Sequence, residues 1–138
     1  MKRTILPALL SLTIVLIISG CMTVPKPADI PADQTVIQLS QKGQEALDKS
    51  NYKAAEVYYQ LIIDRYGTDA AALTAAEFEI AHIKIKQKNY ADAKTMLEAI
   101  VARYEAAGAV GLKPEYLVLA KNDLAHITAL ETKKTAKP

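Results

Sequence analysis

The sequence predicts an all-α fold, with antiparallel helix pairs stacked as a short solenoid and closed by a C-terminal capping helix. Three observations predict it. From Asp33 onward Gly and Pro are scarce while Ala, Leu, Ile, Lys, Glu and Gln dominate, and these are good helix formers. Apolar or small residues recur at helical spacing, as in Val36, Leu39, Gly43, Ala46 and Leu47. The stretch from Asn51 to Tyr66 also repeats at Asn89 to Tyr104. A shift of 38 pairs Asn51 with Asn89, Tyr52 with Tyr90, Ala55 with Ala93, Ile62 with Ile100, Arg65 with Arg103 and Tyr66 with Tyr104.

The first element is an address rather than a part of the fold. Lys2 and Arg3 precede an apolar run from Ile5 to Ile18, interrupted only by Pro7, Ser11 and Thr13, which is the layout of a secretory signal over residues 1–20. The run closes with Ile18, Ser19, Gly20 and Cys21, the chain's single cysteine. These four residues resemble a bacterial lipobox. The resemblance implies that the Cys21 thiol takes a diacylglyceryl group, that the preceding peptide is cut away, and that the new amino terminus is acylated. Such an anchor holds without spanning the membrane, because two or more chains bind lastingly at about 0.8 kcal/mol per buried methylene. Met22 follows the cysteine, and by resemblance to enterobacterial sorting this is compatible with export to the outer membrane.

Residues 21–33 carry Pro25, Pro27 and Pro31 and read as an extended tether, able to hold a domain on the order of 30 to 40 Å from a surface. The helical domain then spans residues 34–131. Its first helix runs from about Thr35 to Lys49. Asn51 suits the N-cap of a second helix, from Tyr52 to Tyr66, with Gly67 at its end. Thr68 or Asp69 can cap a third helix to about Lys88, and Asn89 opens a fourth from Tyr90 to about Ala107. Pro114 suits the first turn of a fifth, reaching about Glu131. Residues 132–138 form a basic tail with Lys133, Lys134 and Lys137, expected to fray.

The repeated pairs resemble the TPR family across residues 35–104. Small residues stand where helices must approach closely, at Gly43 and Ala81 in the first helix of each pair and at Ala55 and Ala93 in the second. Tyr59 and Leu97 supply the large side chain between helices. The match is partial: Leu39 and Glu77 replace the early aromatic, and Gly67 and Glu105 the terminal proline. The resemblance implies a concave groove lined by Ile37, Ser40, Gln44, Leu47 and Asp48 of one repeat and Ala75, Phe78, His82, Ile85 and Lys86 of the next. TPR grooves take peptides or partner helices. The competing expectation is that Phe78 and Ile85 pack beneath the fifth helix.

Composition excludes several function classes. At 138 residues the chain is one small domain at most, and a net charge of +2 is far from the field that phosphate-backbone binding needs, so no nucleic acid is expected. Removal of residues 1–20 takes Lys2 and Arg3 with it and leaves equal numbers of acidic and basic side chains. One cysteine makes no intramolecular disulfide and no zinc cluster. Glu79-x-x-His82 and Asp123-x-x-His126 place carboxylate and imidazole on one helix face, the spacing that builds di-iron sites in bundles, but the second member has Asp in place of Glu. No catalytic residue, resident metal or cofactor is assigned. With signal, anchor and helix pairs together, the chain resembles lipoproteins of the BamD type, which support β-barrel protein assembly. That resemblance implies an envelope adaptor on the periplasmic face of the outer membrane, binding an envelope protein or peptide in its groove. The alternatives are a ligand- or metal-binding helical lipoprotein using Glu79, His82, Asp123 and His126, and a self-associating structural protein.

Overall fold

The computed structural model describes residues 23–135. Cys21, the expected export signal over residues 1–20 and the last residues of the expected basic tail lie outside them. Five helices follow a short 3-10 turn at Pro27–Asp29: α1 (Val36–Asp48), α2 (Tyr52–Tyr66), α3 (Ala70–Lys86), α4 (Tyr90–Ala107) and α5 (Pro114–Thr135). Among the described residues there is no strand, so the fold is all-α.

Each of the first four helices starts where a side chain takes up an orphan N–H. Thr35 and Gln38 form a reciprocal capping box on α1, with Gln38 N donating to Thr35 Oγ1 at 3.3 Å and Thr35 N to Gln38 Oε1 at 2.9 Å. Asn51 caps α2 through Ala54 N, Asp69 caps α3 through Ala71 N and Ala72 N, and Asn89 caps α4 through Asp92 N. The joints α1–α2 and α3–α4 are the same device twice. Ser50 and Lys88 turn left-handed at φ 56° and 63°, and each N–H donates three residues back, to Leu47 O and Ile85 O. Asn51 N and Asn89 N reach five back, to Ala46 O and Lys84 O, both at 2.8 Å. This is a Schellman ending whose last residue caps the next helix.

Helices pack in chain order, and α3 also meets α5. Two apolar clusters result. Leu39, Ala55, Tyr59, Ile62, Ala76, Ile80 and Ile83 build the first, and Phe78, Ala81, Ala93, Leu97, Ile100, Ala120 and Ile127 the second. Because α3 contributes to both, it is apolar on nearly all sides, as a helix enclosed by neighbours must be. Each fully buried Leu or Ile adds about 1.5 to 3 kcal/mol. Gly43 and Tyr59 occupy one contact, since a Cβ on Gly43 would lie 2.7 Å from the Tyr59 ring.

Three boundaries differ from expectation, and a fourth stands where expected but in another conformation. Residues 23–33 are not a free tether: Ile30 is buried in the first cluster, and the carbonyls around it have donors on α2. Arg65 donates from Nη1 to Pro31 O at 2.7 Å and from Nη2 to Ile30 O at 3.0 Å, Tyr66 Oη donates to Gln34 O at 2.7 Å, and Asn51 Nδ2 to Thr23 O at 2.9 Å. Its three prolines carry no N–H, so the segment is short of donors of its own, and side chains of Asn51, Arg65 and Tyr66 supply them. Helix α3 stops at Lys86, because Lys88 is the left-handed residue of the turn. Helix α5 continues past Glu131 to Thr135. Gly67 ends α2 with a right-handed φ of −66°, and its requirement is room, since a Cβ there would lie 2.5 Å from Ile63 O.

Candidate functional site

A groove runs between α1 and α5 with α3 as its floor. On α1, Val36, Ser40, Gln44 and Leu47 recur at three- and four-residue spacing and so share one face. The floor is low because Ala72, Ala75 and Ala76 stand where α3 passes beneath, and Glu79, His82 and Lys86 follow along the same helix. Tyr116, Leu119 and Asp123 of α5 form the opposite wall. Two hollows of about 310 and 380 Å³ make up the groove, and both are lined by Gln44 and Glu79.

Polar groups converge at the junction. Glu79 is partly buried, and burial pushes its carboxyl above the usual range; His82 opposes this, the Asp123 charge adds to it, and Lys86 opposes it. No ion pair takes up the Glu79 carboxylate among the described residues. Tyr59, 3% exposed, has its hydroxyl held protonated by burial first and by the charge of Glu79 next, and Tyr116 is raised by the same two causes in the same order. Both phenols are therefore donors at neutral pH. At the lower end His82 Nδ1 lies 2.9 Å from Asp123 Oδ2, joining α3 to α5, and Gln44 Nε2 donates to Asp48 Oδ1 at 3.1 Å.

The groove contains most of the residues expected of it, but not all. Ser40, Gln44, Leu47, Asp48, Ala75, His82 and Lys86 line it. Ile37 is 79% exposed and lines neither hollow. Phe78 touches the lower hollow but is only 7% exposed, its ring 5.6 Å from Tyr116 and 6.0 Å from His82 between centroids. Ile85 packs into the second apolar cluster. Helix α5 therefore covers part of the expected surface and supplies a wall of its own. Of the four residues weighed as metal ligands, Glu79, His82 and Asp123 meet here while His126 lies exposed. Among the described residues no group of three or more His, Cys, Asp or Glu is placed to hold a metal ion. Sequence reasoning missed Tyr116 and Leu119, whose only signal was their place one and two turns into a helix parallel to α3.

A relative is similar along most of the chain. It is an uncharacterized protein of Treponema pallidum (strain Nichols), 39% identical over 119 residues, covering 84% of this chain and 48% of that protein. The chain thus spans about half the length of the curated relative it matches. No protein-family model and no solved structure matches it.

A second hollow, about 700 Å³, lies behind the groove, among Val57, Leu61, Ile80 and Met96 with Val24 at its edge. Its surface is mainly apolar, and Glu56 crosses one side of it, accepting from Lys84 Nζ at 3.1 Å and Gln87 Nε2 at 2.9 Å. The groove between α1 and α5 is the better binding candidate because several polar groups converge in it.

Proposed function

We propose that the protein is a lipid-anchored adaptor of the bacterial cell envelope, which captures a segment of a partner protein in the groove between α1 and α5. The observation that carries the reading is the groove itself. It is open, it has an alanine-lowered floor, and it holds one carboxylate and two phenolic donors at its centre. The architecture is that of a TPR-like solenoid. In support, α1, α3 and α5 line the groove while α2 and α4 pack behind, the two joints repeat bond for bond, and Gly43 with Tyr59 makes the close contact that such pairs need.

The anchor is Cys21, and the sequence before it supports that assignment. The chain is already bonded to the domain at Thr23, so the anchor keeps the helices near the bilayer instead of at the end of a long tether. Among the described residues no helix is long and apolar enough to cross a membrane. The BamD-type resemblance supports a position on the periplasmic face of the outer membrane, with a component of β-barrel assembly as partner.

The test is photocrosslinking in intact cells from position 44, which is exposed and faces both hollows. The expected result is an adduct with an envelope protein that Glu79→Gln weakens. Adducts with a second copy alone would move the assignment to a self-associating protein. No adduct at all from position 44 or position 119 overturns the groove reading.

A further inference from the structure

We propose that the end of the domain where α1, α3 and α5 terminate faces the membrane and lies on anionic lipid headgroups. This rests on the lipid anchor above and adds which face turns to the bilayer and what holds it there.

The direction of the helices comes first. In α3 and α5, Phe78 meets Tyr116 and, one turn further along α3 and two along α5, His82 meets Asp123, so the two helices run the same way. Helix α1 runs with them, since Val36 shares the upper hollow with Ala72 while Asp48 shares the lower one with Lys86. Their three C-terminal ends therefore lie on one side of the molecule. The segment that follows the anchor arrives at that side as well. Thr23, two residues after Cys21, is held by Asn51 at the α1–α2 joint.

Charge is distributed along the same axis. Lys49 and Lys53 flank the first joint, Lys86 and Lys88 the second, and Lys133 and Lys134 close α5, and all six are exposed. Glu45, Asp48, Asp92 and Glu131 are the exposed acids beside them, so positive charge is in excess, six to four. At the opposite end the order reverses, with Asp33, Asp69, Glu105 and Glu115 exposed and Lys113 among them. The chain without its export signal has equal acidic and basic counts, so this is a separation of charge and not general basicity. Lysines in last turns complement helix dipoles locally, and Lys133 and Lys134 are the last-turn lysines of α5. His82 opposite Asp123 sets Lys86 level with Ile127, the last buried side chain of α5. Eight residues follow to Thr135, about 12 Å of helix standing past the body toward the side where the anchor leaves. A cationic end beside a lipid anchor is what a negatively charged leaflet attracts.

The test uses the chain from residue 21 with Cys21→Ser, which retains both apolar clusters and carries no acyl group. It is sedimented with vesicles of phosphatidylglycerol and phosphatidylcholine, and with phosphatidylcholine alone. The expected result is association with the anionic vesicles only, lost at about 1 M salt. Lys88→Ala and Lys133→Ala should each weaken it about fivefold, equivalent to about 1 kcal/mol per lysine near such a surface. Lys113→Ala, at the other end, should leave it unchanged. Equal binding to both vesicle types, no binding, or an equal loss from Lys113→Ala overturns the proposal. The mass of Cys21 peptides from cell membranes tests the anchor separately. An unmodified cysteine sinks the anchor and leaves the vesicle result standing, whereas an acylated chain indifferent to lipid charge keeps the anchor and sinks this inference.

Discussion

Two side chains define what the groove can do and what it costs. Gly43 lies against the face of Tyr59, and an added methyl would stand 2.7 Å from Cζ and 2.8 Å from Cε2. The ring is buried and the methyl would meet it on its face, so Gly43→Ala should lower stability by about 1 to 3 kcal/mol, measured by urea unfolding. Loss of the Tyr59 position would also move the groove floor, since that phenol lines the upper hollow. Glu79 acts through its proton. Its carboxyl is raised chiefly by burial, so the folded chain holds that proton more tightly than the unfolded one. The unfolded state then binds fewer protons in the window from the usual carboxylate range up to the raised value, and stability falls as pH rises through it. Ionised Glu79 is thus a destabilising group at neutral pH. Glu79→Gln should raise the midpoint of urea unfolding at pH 7 and give little advantage below about pH 4, where the native side chain is also neutral. An equal gain at both pH values would exclude the ionisation account.

At the scale of the element, the joints carry the clearest expectation. Lys88 holds φ 63° at a position that glycine commonly fills. Lys88→Gly removes a steric cost of about 1 to 2 kcal/mol and adds some unfolded-chain entropy, so a net gain of about 0.5 to 1 kcal/mol should appear in thermal unfolding. The helices themselves were legible in the sequence, because Thr35, Asn51, Asp69, Asn89 and Pro114 each mark a start by local chemistry that needs no tertiary partner. What was not legible depends on distance along the chain. Nothing near Ile30 announces that it is buried, since the donors that hold it, Arg65 and Tyr66, come more than thirty residues later. The groove was legible along α1 and α3, where the repeat places it. Its third wall was not, because Tyr116, Leu119 and Asp123 belong to a helix outside the repeat. Glu79, His82 and Asp123 were noticed for spacing typical of metal ligands, while the structure joins them as a groove floor and wall.

For the whole molecule, the sharing of α3 between both apolar clusters decides how it unfolds. Ala76, Ile80 and Ile83 face one cluster and Phe78 and Ala81 the other, and Met96 of α4 touches both. Neither half can lose its packing without baring the other, so one cooperative transition is expected. Leu39→Ala, made in the first cluster and at a fully buried side chain, should cost about 2 to 5 kcal/mol. Hydrogen exchange of α5 amides should speed by the same free energy, although α5 is the element farthest from Leu39 along the chain. Unchanged exchange in α5 would mean that the clusters unfold separately.

The paired joints also bear on how such a molecule lengthens. Both have the same bonds, a left-handed residue at the same place and the same asparagine, with φ and ψ of −85° and 70° at Asn51 and −86° and 71° at Asn89. The segment from Asn51 to Lys88 therefore begins and ends on interchangeable couplings. A tandem duplication of those 38 residues would insert one more hairpin without creating a new junction, and its outer faces would meet surfaces already shaped to receive them. Growth by whole units is thus open to this gene at no cost in turn geometry, whereas an insertion of any other length would have to invent a joint.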